Sequence, residues 1–263
     1  VGYHQADRER LAAVFAYPGV VDAYQHRPPY PPEVFDLLEK IITDQPRTVL
    51  DVGAGEGALA RPLAHRVGHV DAVDISAAMV QAGRRRPGGR QPNLRWIIGA
   101  AETAELGGPY ALVTAGASLH WMSWEPTLAR LAERMTDNAF LAIVDHSHHD
   151  LPWSAELAKV IVRHSRSPDY DQSFSLVDAL CAGGLFEITG QATTAPMPYR
   201  QLPASYIEQF HSTSSLAREL MPAGESDAFD RAIAGIVRPY VVNGVLDLEA
   251  VAYLSWGRIT VTG

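Results

Sequence analysis

The stretch TVLDVGAGEGALA, residues 48–60, decides the fold. Thr48, Val49, Leu50 and Val52 are β-branched or aliphatic and read as a short, buried parallel strand. That strand empties into Gly53, Gly55 and Gly57, a spacing that lets the backbone turn tightly and approach a ligand closely. A helix starting at Ala58 would aim its free N–H groups into the same space, which suits a nucleotide cofactor. Asp51, just before the turn, adds a negative charge that would repel a pyrophosphate and favour a cation.

Further strands follow outward from this one. Residues 69–75 (HVDAVDI) form the second, and its Asp74 stands 21 residues beyond Gly53. One strand–helix–strand unit returns the chain to the same sheet edge, so this carboxylate is placed to accept both hydroxyls of a ribose; the competing role is to cap the helix from Ser76. Residues 94–100 (LRWIIGA) make a third strand, followed by Ala101-Glu102. Residues 110–117 (YALVTAGA) make a fourth, leaving through Ser118-Leu119-His120-Trp121-Met122, and residues 139–145 (AFLAIVD) a fifth, leaving through His146-Ser147-His148-His149-Asp150. Strand exits in an open α/β sheet form the ligand crevice, which puts His120 and Trp121 beside the chemistry.

Ahead of the central strand, residues 3–17 read as a helix or a loosely packed arm, broken at Pro18-Gly19. Residues 24–32 (YQHRPPYPP) read as a stiff extended strap, because proline fixes φ and removes donors. Its Tyr24, Arg27 and Tyr30 either close over a pocket or serve as a connector before a helix at 33–42. After residue 150, helices are expected at 154–165 and 175–182, the second closed by Gly183-Gly184. Residues 186–194 and 245–261 read as long strands. Between them, residues 203–220, with Tyr206, Phe210 and His211, and residues 227–240 are too long for a turn and too amphipathic for disorder, so they form helices that lid the crevice.

Composition sets the outer limits. The chain has 263 residues, 47% hydrophobic, with a formal charge of −8, and phosphate recognition calls for clustered Lys and Arg. No nucleic-acid partner is therefore expected, and Arg84, Arg85, Arg86 and Arg90 read as a solvated surface turn. No run reaches the roughly 18 apolar residues of a membrane helix, and VGYHQADRER lacks the apolar core of a signal peptide, so a cytoplasmic location without a membrane partner is expected. The single cysteine, Cys181, excludes an internal disulfide and a multi-cysteine zinc site.

The glycine turn, Asp74, Ala101-Glu102 and Ser118-Leu119-His120-Trp121 resemble the class I S-adenosylmethionine-dependent methyltransferases. Arg27-Pro28-Pro29-Tyr30-Pro31 together with Leu119-His120-Trp121 resembles the branch that methylates small molecules. The resemblance covers residues 24–150 and implies a doubly wound, Rossmann-like seven-stranded sheet, mostly parallel with the last strand antiparallel, carrying helical lid insertions. One domain over residues 1–263 follows: strap and first helix to 45, cofactor core at 46–150, and lid with C-terminal antiparallel strands from 151. The cofactor implied is S-adenosylmethionine, with Gly53 and Gly55 along its methionine part and Asp51 at the amino group. Asp74 would take the ribose, Ile75 and Met79 flank the adenine, Ala101 and Glu102 lie at its edge, and Ala117 lies under the sulfonium.

The reaction is then an in-line displacement on a small apolar or aromatic metabolite at oxygen, nitrogen or carbon. His120 is the first candidate for a general base, against a role as pocket wall. His146 and His148 could act as base, substrate clamp or, with His149, metal ligands, although no second ligand cluster is visible and no metal is expected. Trp121 and Trp153 could stack on a flat substrate. No Asn-Pro-Pro-Tyr type sequence follows the fourth strand, which argues against nucleobase or protein-amide methylation. Three other readings stay open: cofactor-assisted rearrangement or cyclisation, a cofactor-sensing module, and a nicotinamide oxidoreductase, since Gly53, Gly55 and Ala58 also fit the dinucleotide fingerprint. Asp51, Gly57 and the His120-Trp121 exit speak against the last of these.

Overall fold

Strands covered on both faces read as continuous apolar runs, and four such runs assemble side by side at the centre of the molecule. The computed structural model describes residues 13–166 and 174–260. Thr48–Val52 (β1) pairs in parallel with His69–Asp74 (β2) on one side and Tyr110–Gly116 (β4) on the other. Leu94–Ile98 (β3) extends the β2 side, and Met135–His148 (β5) the β4 side. The chain thus winds outward in both directions from β1, which places the ligand crevice where β1 and β4 end.

Phe186–Thr193 (β6), Met197–Gln201 (β7) and Leu246–Ile259 (β8) complete one eight-stranded sheet in the order β3-β2-β1-β4-β5-β8-β6, with β7 also on β8. The expected antiparallel pairing of the two long strands is present at the far edge of the sheet, with β8 between β5 and the edge strand β6. The eighth strand arises because residues 186–201 follow β8 as one interrupted strand, broken where Thr194 hydrogen-bonds Ala252 through both its N–H and its hydroxyl. β5 also runs past the expected Asp145: His146 and His148 stand in the strand opposite Ala252 and Ala250, because β8 supplies their backbone partners.

The helices are Pro18–Tyr24 (α1), Glu33–Lys40 (α2), Ala60–Leu63 (α3), Ala77–Arg85 (α4), Trp124–Ala132 (α5), Ser154–His164 (α6), Leu176–Ala182 (α7), Pro203–His211 (α8) and Glu225–Val237 (α9). Pro18-Gly19, expected as a break, instead opens α1, since proline at the first helical position has its φ already set and needs no donor. Tyr24 consequently ends a helix, and the extended strap begins after it. The arm expected at residues 3–17 falls largely outside the described residues, as does the last residue of the strand expected at 245–261.

α2 and α3 pack with Val49, Val70, Val144 and Leu254 on one sheet face, and α5 and α7 with Leu50, Val113, Leu141 and Phe186 on the other. The lid helices α6, α8 and α9 form a third core around Trp153, Tyr206, Phe229 and Ile233, seated on Leu246 and Leu248 of β8. Among the described residues, no helix is long and apolar enough to cross a membrane.

β6 passes so close to β8 that a Cβ built on Gly257 would stand 1.9 Å from the Glu187 carbonyl oxygen. Gly257→Ala should therefore destabilise the protein by at least about 2 kcal/mol, read as a lower urea midpoint with unchanged slope.

Candidate functional site

Gly53 turns with φ +64°, and a Cβ there would lie 2.4 Å from the Ser118 Cβ. Only glycine fits, and Ser118 fastens the junction by donating its hydroxyl to the Val52 carbonyl at 2.6 Å. The β1 turn and the β4 exit are thereby locked together. Asp74, at the end of β2, accepts the Gly55 N–H on one carboxylate oxygen and the Ser76 N–H on the other, each at 2.7 Å. The cap of α4 is supplied by Ser76, whose hydroxyl accepts from Met79 N–H, so Asp74 is not the capping group itself. Burial raises the Asp74 carboxyl above the usual range, while the two N–H bonds pull the other way.

A cavity of about 530 Å³ opens over this frame, lined by Gly53, Gly55, Asp74, Ile75, Met79, Ala101, Glu102, Ala117 and Trp121. Ile75 faces it while 63% exposed, an apolar side chain left for a ligand to cover. Glu102 accepts from Ser123 N–H at 3.2 Å, which fixes the rim. A second cavity of about 310 Å³ is lined by Tyr24, Arg27, Tyr30, Asp51, Gly53, Ala117 and His146. The two share Gly53, Ala117 and Tyr24, and Ala117 holds φ +48°, an uncommon conformation for a residue with a Cβ.

Asp51 accepts the Thr114 hydroxyl at 2.8 Å and the Ala60 N–H at the start of α3. Burial pushes its carboxyl up to about 7, so the negative charge expected there is only partly present at neutral pH. A cation entering the smaller cavity would draw out the full charge.

The strap contributes the cation. Arg27 donates through Nε and Nη2 to the Ser212 hydroxyl and carbonyl, at 2.8 and 3.0 Å, and through Nη1 to the Tyr24 hydroxyl at 3.1 Å. This guanidinium clamps the strap to the end of lid helix α8, and no carboxylate among the described residues is within ion-pair distance of it. Tyr30 stacks obliquely on His146, with ring centroids 4.2 Å apart.

His120 sits in a short 3-10 turn, Leu119–Trp121, with its ring 4.6 Å from that of Trp121, and lines neither cavity. Burial, and then the Arg27 charge, lowers it to about 4. The same two causes take His146 to about 3, and burial takes His148 to about 4. All three rings are neutral at pH 7. Trp153, Tyr206 and Phe210 line neither cavity: Trp153 is 4% and Tyr206 0% exposed, joined by a 2.8 Å bond from the Trp153 indole N–H to the Tyr206 hydroxyl. They face inward because three amphipathic helices must bury their apolar faces against one another. Among the described residues no three potential ligands gather as a metal site.

Ser118 and Met122, from the exit of the fourth strand, also line the larger cavity, as does Phe15, which carries no local signal. Phe15 arrives through its backbone, whose carbonyl accepts the Ser76 hydroxyl at 2.8 Å. The neutral histidines carry a pH signature. An unfolded chain takes up protons at them near pH 6.5, whereas the folded protein resists until about 4 or 3, so their stabilising effect is full above 6.5 and lost as pH falls. Unfolding free energy from urea titrations should drop between pH 6.5 and 4, and His146→Gln should make that drop shallower.

Residues 49–139 match the methyltransferase-domain family. Over 130 residues the chain is 30% identical to a malonyl-[acyl-carrier protein] O-methyltransferase of Anoxybacillus flavithermus, covering 47% of this chain and 49% of that protein. Over 137 residues it is 32% identical to a trans-aconitate 2-methyltransferase of a Mycobacterium species, covering 51% and 52%. The matched part thus spans about half the length of these relatives. The fold is shared with a protein of Anaeromyxobacter dehalogenans, at TM-score 0.67 and 18% identity over 88% of this chain and 97% of that one. It is also shared with a methyltransferase of Thiobacillus denitrificans solved with S-adenosylhomocysteine, at TM-score 0.53 and 14% identity over 91% and 97%. The glycine turn, the β2 carboxylate and the interior antiparallel β8 thus stand in a chain whose residues 49–139 match the methyltransferase-domain family and whose fold is that of a methyltransferase solved with S-adenosylhomocysteine.

Proposed function

We propose that the protein transfers the methyl group of S-adenosylmethionine to a carboxylate oxygen of a small organic acid. The observation that carries the cofactor half is the pair of cavities meeting at Gly53 and Ala117. The larger offers an exposed Ile75 and a buried Met79 to an adenine, and the Asp74 carboxylate, with lone pairs left over from its two N–H bonds, to ribose hydroxyls. The smaller offers Asp51 to an ammonium group. When bound, the cofactor supplies a methyl on a sulfonium, already a good leaving group.

Arg27 supports the acceptor half. It is a partly buried cation whose hydrogen bonds go to the neutral groups of Ser212 and Tyr24, with the Asp145 carboxylate near enough to feel its charge but making no hydrogen bond to it. Two relatives are named for acceptors that carry acid groups, malonyl-[acyl-carrier protein] and trans-aconitate. A carboxylate is ionised at pH 7 and needs no base to remove a proton, which accords with histidines held at about 4 and 3 and hence poor bases. Acceleration then comes from holding the oxygen in line with the methyl while the Arg27-clamped lid excludes water. In this reading His120 and His146 shape and orient the acceptor side, and the apolar or aromatic part of the acid lies against Trp121 and Tyr30.

Calorimetric titration tests the cofactor. S-adenosylhomocysteine should bind at micromolar Kd and NADH should not; binding of NADH alone would overturn the proposal. Asp74→Ala should weaken S-adenosylhomocysteine at least tenfold, a charged acceptor being worth about 1.5–3 kcal/mol. His120→Ala should lower turnover and leave that affinity within about twofold; loss of affinity alone would move His120 to the cofactor site.

A further inference from the structure

Tyr30 stands on the strap between Pro29 and Pro31, where proline fixes the backbone on either side. Its ring lies 4.2 Å from that of His146 and packs on the sheet core that holds Leu59 and Val144. The hydroxyl end reaches the last residue of β4: a Cβ built on Gly116 would stand 2.9 Å from Tyr30 Oη and 2.9 Å from Leu59 Cδ1. Glycine at that position lets the phenol come against the strand end. The next residue, Ala117, lines both cavities, while Tyr30 and Gly116 line the smaller one. Tyr30 Oη therefore lies beside the place where the two cavities meet.

The phenol proton has no acceptor among the described residues. Asp51 and Asp145 stand near enough to act on Tyr30 by charge, yet Asp51 takes its hydrogen bonds from Thr114 and Ala60, and Asp145 takes one from the His146 N–H. Tyr24, the phenol just before the strap, is by contrast engaged by Arg27. Burial, and then the neighbouring Tyr24, Asp145 and Asp51, raise the Tyr30 phenol well above its ordinary value, so it keeps its proton at neutral pH. Tyr30 is thus a donor and not a base. An O–H on a cavity wall with no protein partner is left for a ligand to accept from.

Resting on the function proposed above, we infer that Tyr30 aims the acceptor: its O–H donates to one oxygen of the acceptor carboxylate and leaves the other oxygen free to attack the methyl carbon. The attacking oxygen forms a C–O bond as the S–C bond breaks and its electron pair passes to sulfur. The products are a neutral methyl ester and a neutral thioether, and no proton changes hands. Arg27, bonded through all three of its nitrogens to Ser212 and Tyr24, supplies charge, and Tyr30 supplies direction. The Tyr30 ring flanks the apolar part of the acid and its hydroxyl the charged end. Because the carboxylate charge is spent as the ester forms, this bond acts by binding and aligning the acid and does not stabilise developing charge.

The test compares the full chain with Tyr30→Phe, which removes Oη and keeps the ring. Methyl transfer from S-adenosylmethionine to benzoate, phenylacetate and octanoate is followed by product mass. For every acid the unaltered protein methylates, the variant should lose about tenfold or more in kcat/KM, with KM rising more than kcat falls. S-adenosylhomocysteine affinity should stay within about twofold. The hydroxyl donates to no protein group, so the Tm without ligand should stay within about 2 °C. An unchanged kcat/KM, a loss confined to kcat, or a larger fall in Tm, the mark of a structural prop, would each overturn the inference. S-adenosylhomocysteine bound about tenfold more weakly would also overturn it, by giving the hydroxyl to the cofactor. Transfer to none of the acids by the unaltered protein, with S-adenosylhomocysteine still bound, overturns the acid reading and this inference together, whereas a variant as active as the unaltered protein overturns the inference alone.

Discussion

The Asp74 carboxylate, held between the Gly55 and Ser76 N–H groups, is the constraint on which the site depends. Two bonds of 2.7 Å tie the glycine turn after β1 to the start of α4 after β2. In this turn the Ala54 and Gly57 N–H groups find backbone carbonyls, and the Gly55 N–H is met by a carboxylate one strand over. The same oxygens face the larger cavity, so the group that shapes the turn is also the acceptor offered to a ligand. Structure and binding share one side chain here.

The second half of the molecule solves a different problem. Helices α6, α8 and α9 have apolar faces that the main sheet cannot cover, and they bury these on one another and on Leu246 and Leu248. That small core positions Ser212 for Arg27, which joins lid and strap across 185 residues of sequence. A charge near neutral imidazoles lowers them further, and both His120 and His146 feel Arg27 in this way. An anion beside the guanidinium would offset that field.

The strands β1 to β4 and the glycine turn were legible because their signals are local. An apolar run, a positive-φ requirement and a carboxylate one strand–helix–strand unit later each sit within a few residues of the chain. The residues expected at the cofactor all came to one cavity or its neighbour, since strand ends in a doubly wound sheet must converge. The lid behaved otherwise. Trp153, Tyr206 and Phe210 have the composition of a substrate wall, yet aromatic residues at helical spacing fit a core equally well, and only the packing of three helices separates the two. His146 and His148 read as loop residues because polar side chains follow an apolar run, whereas the length of β5 depends on β8, a hundred residues away in sequence.

By itself, then, the sequence determined where the parallel strands lie along the chain, the glycine turn and the acidic residue that serves it, because these follow from short-range sterics and hydrogen-bond need. Only the tertiary structure decided that β8 lies between β5 and β6, that Arg27 meets Ser212, and that the histidines are neutral. Those features depend on burial and on contacts between distant segments, and no single stretch of chain encodes the environment that another stretch creates around it.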